Sequence, residues 1–106
     1  MEKSTTQVLQ EARALVEQGW TQGPYHAVVD GMDCYCALGA IYTVVGLPCL
    51  SHRANAHRGA QGALDWAAKR VSHGKTASAI VYNEQPGRTK EQVLHLFDVA
   101  LEIASK

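Results

Sequence analysis

The sequence predicts a mainly α to α+β fold: about four helices around a buried central helix at residues 36–45, with one or two short β segments at 25–29 and 79–82. Three observations predict it. Two capping-box signatures each precede apolar residues at helical spacing, one stretch is apolar almost all round, and two short apolar runs border turn residues. The 106 residues suit a single compact domain spanning 1–106. A chain of this size buries about 65% of its unfolded surface, enough to fold without disulfides or metal.

Ser4-Thr5-Thr6-Gln7 forms the first capping box, with Ser4 at the N-cap and Gln7 three residues on. Val8 or Leu9, Ala12, and Leu15 or Val16 then mark one helical face, so the first helix is expected from about Thr5 to Gln18. Gly19 is the expected stop, in a left-handed conformation. Gly23-Pro24 and Asp30-Gly31 are turn signals around the β-compatible Tyr25-His26-Ala27-Val28-Val29, and Asp-Gly suits a hairpin.

From Cys36, the run Ala37-Leu38-Gly39-Ala40-Ile41-Tyr42-Thr43-Val44-Val45 lacks a polar face and ends at Gly46 and Pro48. Such a helix belongs in a core. Gly39 within it costs about 1 kcal/mol against alanine, which implies close packing by a neighbour. Residues 47–55 connect to a third helix, with Ala60, Leu64, Ala67 or Ala68, and Val71 inward and a stop near His73-Gly74. Ala79-Ile80-Val81-Tyr82 reads as a short buried strand leading into the Pro86-Gly87 turn. Thr89-Lys90-Glu91-Gln92 is the second capping box, followed by Val93 or Leu94, Phe97, Ala100 or Leu101, and Ala104.

Ten Lys and Arg balance ten Asp and Glu, but unevenly. Residues 1–33 carry Lys3 and Arg13 against Glu2, Glu11, Glu17, Asp30 and Asp33, a sum of −3. Residues 52–75 carry Arg53, Arg58, Lys69, Arg70 and Lys75 against Asp65, a sum of +4. That basic stretch could meet nucleic acid or simply face water; the neutral total argues against a dedicated nucleic-acid binder. No run is long and apolar enough to span a bilayer, and the first residues lack a signal-peptide pattern, so a cytoplasmic protein with no membrane partner is expected.

Several side chains invite chemical readings. Cys34, Cys36, Cys49 and His52 could supply three sulfurs and one nitrogen to zinc, whereas free cysteines commonly serve as small core residues. Cys36 falls where the buried helix begins, a place that favours thiolate. With His26 as base and Asn83 as orienter it would make a Cys-His-Asn set, although spacing fixes none of their distances. Arg88 at the mouth of the last helix could hold an anion. Alternatively, Asn83 or Glu84 bonds the turn and Arg88 pairs with Asp98 or Asp33. Trp20 either closes the core with its indole N–H on a carbonyl or anchors a partner. Trp66, beside the stripe of the third helix, reads as half exposed and joins Arg53, Arg58, Lys69 and Arg70 as an interaction candidate.

Trp20-x-Gln22-Gly23, Cys36-Ala37-Leu38-Gly39-Ala40-Ile41, Tyr82-Asn83-Glu84-x-Pro86-Gly87-Arg88-Thr89 and Val93-Leu94-x-x-Phe97-Asp98 together resemble a family of small uncharacterised proteins of bacteriophages and bacterial genomes. The blocks span 20–98, with little match from about 47 to 78. The family pattern usually has Trp and Asp where this chain has Tyr82 and Glu84. The resemblance implies that Trp20, Gln22, Cys36, Asn83, Arg88 and Asp98 meet in one polar and aromatic cluster, either a ligand site or a lock that fixes the fold. It brings no recurring histidine, and Cys49 and His52 lie outside its blocks. It also implies a phage setting, and hence a host macromolecule, most simply a protein, that this chain binds and modulates or inhibits without catalysis. A small-ligand or nucleotide binder using the 83–89 loop and a hydrolase or transferase centred on Cys36 remain the alternatives. No cofactor is expected, and a homodimer is open.

Overall fold

A computed structural model describes residues 4–46 and 55–105, with the side chains of 55–57 excepted. The expected class holds: five helices and one antiparallel hairpin lie among the described residues, one helix more than the sequence predicts.

Helix α1 (Thr5–Gln18) opens with the capping box: Gln7 N–H donates to Ser4 Oγ at 3.1 Å, and Ser4 N–H to Gln7 Oε1 at 3.1 Å. Val8, Leu9, Ala12 and Val16 form its buried face. It ends at Gly19, but not in the left-handed conformation the sequence suggests, for Gly19 is extended at φ −167°. Glycine is needed there for space, because a Cβ would run into the backbone oxygen of Asp33.

Strands β1 (His26–Val29) and β2 (Met32–Tyr35) pair antiparallel, with His26 opposite Tyr35 and Val29 opposite Met32. Asp30 (φ 52°) and Gly31 (φ 79°) are both left-handed, the signature of the tight turn that Asp-Gly favours. On the far side of β2, Tyr35 N–H donates to the Gly19 oxygen at 3.0 Å and Thr21 N–H to the Tyr35 oxygen at 3.1 Å. The hairpin is thereby hooked to the end of α1.

Helix α2 (Ala37–Val45) is the apolar run, with Cys36 at its N-cap and left-handed Gly46 at its end. Its first half, Ala37 to Ile41, is buried; Thr43 is exposed, so the central helix turns outward as it ends. Gly39 has the neighbour the sequence implies: a Cβ would collide with the Tyr25 carbonyl. Helix α3 (Asn55–Val71) buries Ala60, Ala63, Leu64, Ala67 and Ala68, and stops as expected at left-handed His73 and Gly74.

The expected strand at 79–82 is instead helix α4 (Ala79–Glu84). Ser78 Oγ accepts from Val81 N–H at 3.3 Å, and the Asp65 carboxylate reaches across from α3 to accept from Ala79 N–H at 2.8 Å. Burial follows helical spacing: Ala79, Tyr82 and Asn83 point inward while Ile80 and Val81 are exposed. Four apolar residues are too few for periodicity to distinguish the two forms. Helix α5 (Lys90–Ala104) starts at the second capping box, between Thr89 and Gln92, and buries Val93, Leu96, Phe97, Val99 and Ala100.

Helix α3 packs chiefly on α5, and α1 on both α2 and α5, around Leu9, Leu38, Ile41, Leu64, Leu96 and Phe97. No helix among the described residues is long and apolar enough to cross a membrane.

Candidate functional site

Asn83 is the organising residue. It stands near the end of α4 and is 1% exposed, so each polar atom of its amide needs a partner. Its Oδ1 accepts from Trp20 Nε1 at 2.8 Å and from Ala37 N–H at 3.2 Å. Its Nδ2 donates to the Thr21 oxygen at 3.3 Å and to Glu84 Oε2 at 2.7 Å. An amide has two acceptor and two donor capacities, and all four are used within the chain. One side chain therefore joins the end of α1, the first turn of α2 and α4.

The surrounding groups reinforce that junction. Gln22 Nε2 donates to the backbone oxygens of Asn83 and Gln85, each at 2.9 Å, while Glu84 Oε1 accepts from Gly23 N–H at 2.5 Å. Arg88 lays its guanidinium over the Tyr82 ring, 3.6 Å from the centroid. It donates through Nε to the Tyr82 oxygen at 2.9 Å, through Nη1 to Gln92 at 3.3 Å, and through Nη2 to Gln85.

The structure thus brings Trp20, Gln22, Asn83 and Arg88 together, with Cys36 adjoining through the helix it caps. It places Asp98 elsewhere. Asp98 takes a forked contact from Arg13, at 2.7 Å from Nε and 3.3 Å from Nη2, tying α1 to α5. Neither Asp98 nor Asp33 pairs with Arg88, whose partners are the Tyr82 oxygen and two glutamine side chains. Glu84, expected from the sequence to bond the turn, instead accepts from Gly23 N–H and Asn83 Nδ2, and Tyr82 and Gln85 are further members that stand within or between the motif positions. Asp65, which caps α4 from fourteen residues away, left no local signal.

The Cys36 thiol accepts from Gly39 N–H at 3.3 Å and is 6% exposed. Burial pushes the thiol's pKa up from its ordinary value, opposed by the N–H groups of Gly39 and Leu38. Desolvation outweighs the helix N-terminus that the sequence favoured. His26 lies at the base of the hairpin with Nε2 2.9 Å from Asp33 Oδ1 and its ring against Tyr35. With Asn83 fully engaged as well, Cys36, His26 and Asn83 form no hydrogen-bonded relay. Cys34 and Cys36 are both free and buried. Cys49 and His52 lie outside the described residues, and no three acidic, histidine or cysteine groups converge to hold a metal among the described ones.

Helix α3 carries a different surface. Trp66 is 62% exposed, and Lys69 Nζ sits 5.1 Å from its ring centroid. Trp66 and Lys69 line two grooves, one of about 170 Å³ with Asp65 and Ala77 and one of about 340 Å³ with Arg70 and Ile103. Arg58 is exposed earlier on the same helix, whereas Arg53 lies outside the described residues.

Fold and junction define a class: a small helical domain whose motif residues bond one another across three elements. Residues 1–102 match the family of unknown function DUF6197, and the chain belongs to that family. No curated protein and no solved structure matches it.

Proposed function

We propose that this chain is a small, non-catalytic binding protein of phage or mobile-element type. It docks on a protein of its host cytoplasm through the Trp66 face and modulates or inhibits that target. The observation carrying the reading is Trp66 itself, a large exposed aromatic ring that lines two grooves together with Lys69, the larger of them also lined by Arg70. Tryptophan and arginine are the side chains that most often anchor an interface, and the flanking cations suit an acidic rim on the partner. The motif cluster favours the other half of the reading. Its polar groups bond one another, which is what a lock that fixes the fold requires, and this leaves the 83–89 loop with little to offer a nucleotide. The buried Cys36 thiol likewise gives a hydrolase or transferase a poor nucleophile.

The test is capture of partners from host lysate by tagged protein, with and without nuclease, comparing wild type with Trp66→Ala and Arg70→Ala. A stoichiometric protein that survives nuclease and is lost with Trp66→Ala, at unchanged melting temperature, supports the reading. A clean bait, a partner released by nuclease, or a partner indifferent to both variants sinks it.

A further inference from the structure

The open edge of the hairpin carries an inference independent of the Trp66 face. β1 pairs with β2 alone, and its other edge has no strand partner among the described residues. The bonds around the hairpin show which backbone groups lie on that edge. Tyr35 directs both its N–H and its oxygen away from β1, to Gly19 and Thr21, so its opposite residue His26 occupies a non-hydrogen-bonded position. One residue on, Cys36 N–H donates to the Tyr25 oxygen at 3.2 Å, which confirms the alternation. His26 and Val28 therefore turn N–H and C=O outward together.

Among the described residues nothing guards this edge. His26-Ala27-Val28-Val29 has no lysine, proline or bulge, and Val28 and Val29 are 64% and 50% exposed.

We propose that two copies of this chain pair through β1, antiparallel across a two-fold axis at Ala27, merging two hairpins into one four-stranded sheet. In that register His26 of each copy faces Val28 of the other and exchanges both N–H···O=C bonds with it. The open groups are symmetric about Ala27, so an identical strand satisfies all of them at once. The strand carries no carboxylate, lysine or arginine, so like meets like without fixed-charge repulsion. Asp33, the nearest carboxylate across the hairpin, is held by His26 of its own chain. The ladder is bounded as well: Pro24 has no N–H, and Asp30 is already left-handed in the turn.

The experiment is sedimentation equilibrium of the full chain from micromolar to submillimolar concentration, beside Val28→Pro and Val28→Lys. Wild type is expected to pass from one to two chain masses of 11.5 kDa. Val28→Pro removes an outward N–H that the intrachain ladder does not use. It should raise the dissociation constant at least about tenfold while leaving the melting temperature of the dilute chain nearly unchanged. Val28→Lys should weaken the dimer similarly, which keeps the test decisive if the proline variant folds poorly. A chain that stays at one mass at the highest concentration, or a dimer equally tight in both variants, overturns the proposal.

Discussion

The indole N–H of Trp20 donates to the side-chain oxygen of Asn83 at 2.8 Å, across 63 residues of chain. Trp20 follows the Gly19 cap of α1 and Asn83 belongs to α4, so this bond fixes the short helix against the helical core. Replacing Asn83 by alanine leaves the Trp20 and Ala37 N–H groups without their acceptor and opens a small cavity. The expected loss is about 3 kcal/mol, seen as a fall of roughly 12–20 °C in melting temperature. A fall of only a degree or two would show the junction to be incidental.

Glycines 39 and 62 should respond in opposite directions to alanine. Both lie within helices, where alanine is intrinsically better by about 1 kcal/mol. Nothing lies within 4 Å of a Cβ at Gly62, so Gly62→Ala is expected to stabilise by about 0.5–1 kcal/mol. At Gly39 the new methyl meets the Tyr25 carbonyl, and separating α2 from the hairpin should cost more than about 2 kcal/mol. Urea unfolding of the two variants decides it, and equal signs would refute the packing argument.

Alkaline pH should destabilise the fold through Cys36. Its folded-state pKa is raised above the ordinary 9.0 by burial. Below that value both states keep the proton and the contribution is complete. As pH rises beyond it the unfolded thiol ionises first, so unfolding gains and stability falls. Cys36→Ser retains a capping oxygen and should flatten this decline. For the same reason Cys36 should alkylate slowly at neutral pH in the native chain; rapid labelling would contradict the buried geometry.

Asp65 offers the matching test at acid pH. Burial raises its carboxyl pKa above the ordinary 3.8, with the Ala79 N–H opposing. The folded state thus holds its proton more tightly, and stability declines as pH rises from 3.8 through the folded value. Asp65→Asn keeps an oxygen for Ala79 and should remove that decline. Asp65→Ala should lose about 1 kcal/mol of capping at neutral pH. Melting curves from pH 3 to 7 for both variants provide the check, and a decline that survives in Asp65→Asn would assign it to another group.

Local chemistry made much of this fold legible. Both capping boxes, the ends of α1, the Asp-Gly turn and the crowding at Gly39 were readable because each is decided within a few residues or by one steric demand. The failures share a different cause. Residues 79–82 are too short a run for periodicity to separate strand from helix, and beside the local Ser78 cap Asp65, on another helix, adds a bond to Ala79 N–H that no local pattern announces. Gly19 is required by the approach of Asp33, not by its own backbone angles. Asp98 belongs to Arg13 because α1 and α5 lie side by side, and sequence spacing carries no record of that. Of the residues the resemblance groups, Trp20, Gln22, Asn83 and Arg88 lie together and Asp98 does not, and the motif is silent on how completely Asn83 is bonded.

The placement of the Asn83 junction also bears on how long a folded molecule lasts. Its cross-element bonds join segments tens of residues apart, whereas the helices and the hairpin form from neighbours; the junction should therefore close late, after the folding barrier is crossed. Contacts made after the barrier slow escape from the native state without hastening arrival. In stopped-flow measurements Asn83→Ala should steepen the loss of folded chain, with an unfolding rate raised by an order of magnitude or more, while refolding stays near its original rate. The junction would then act as a timer on the molecule's lifetime, setting its resistance to heat inactivation and to proteases fast enough to catch each unfolding event.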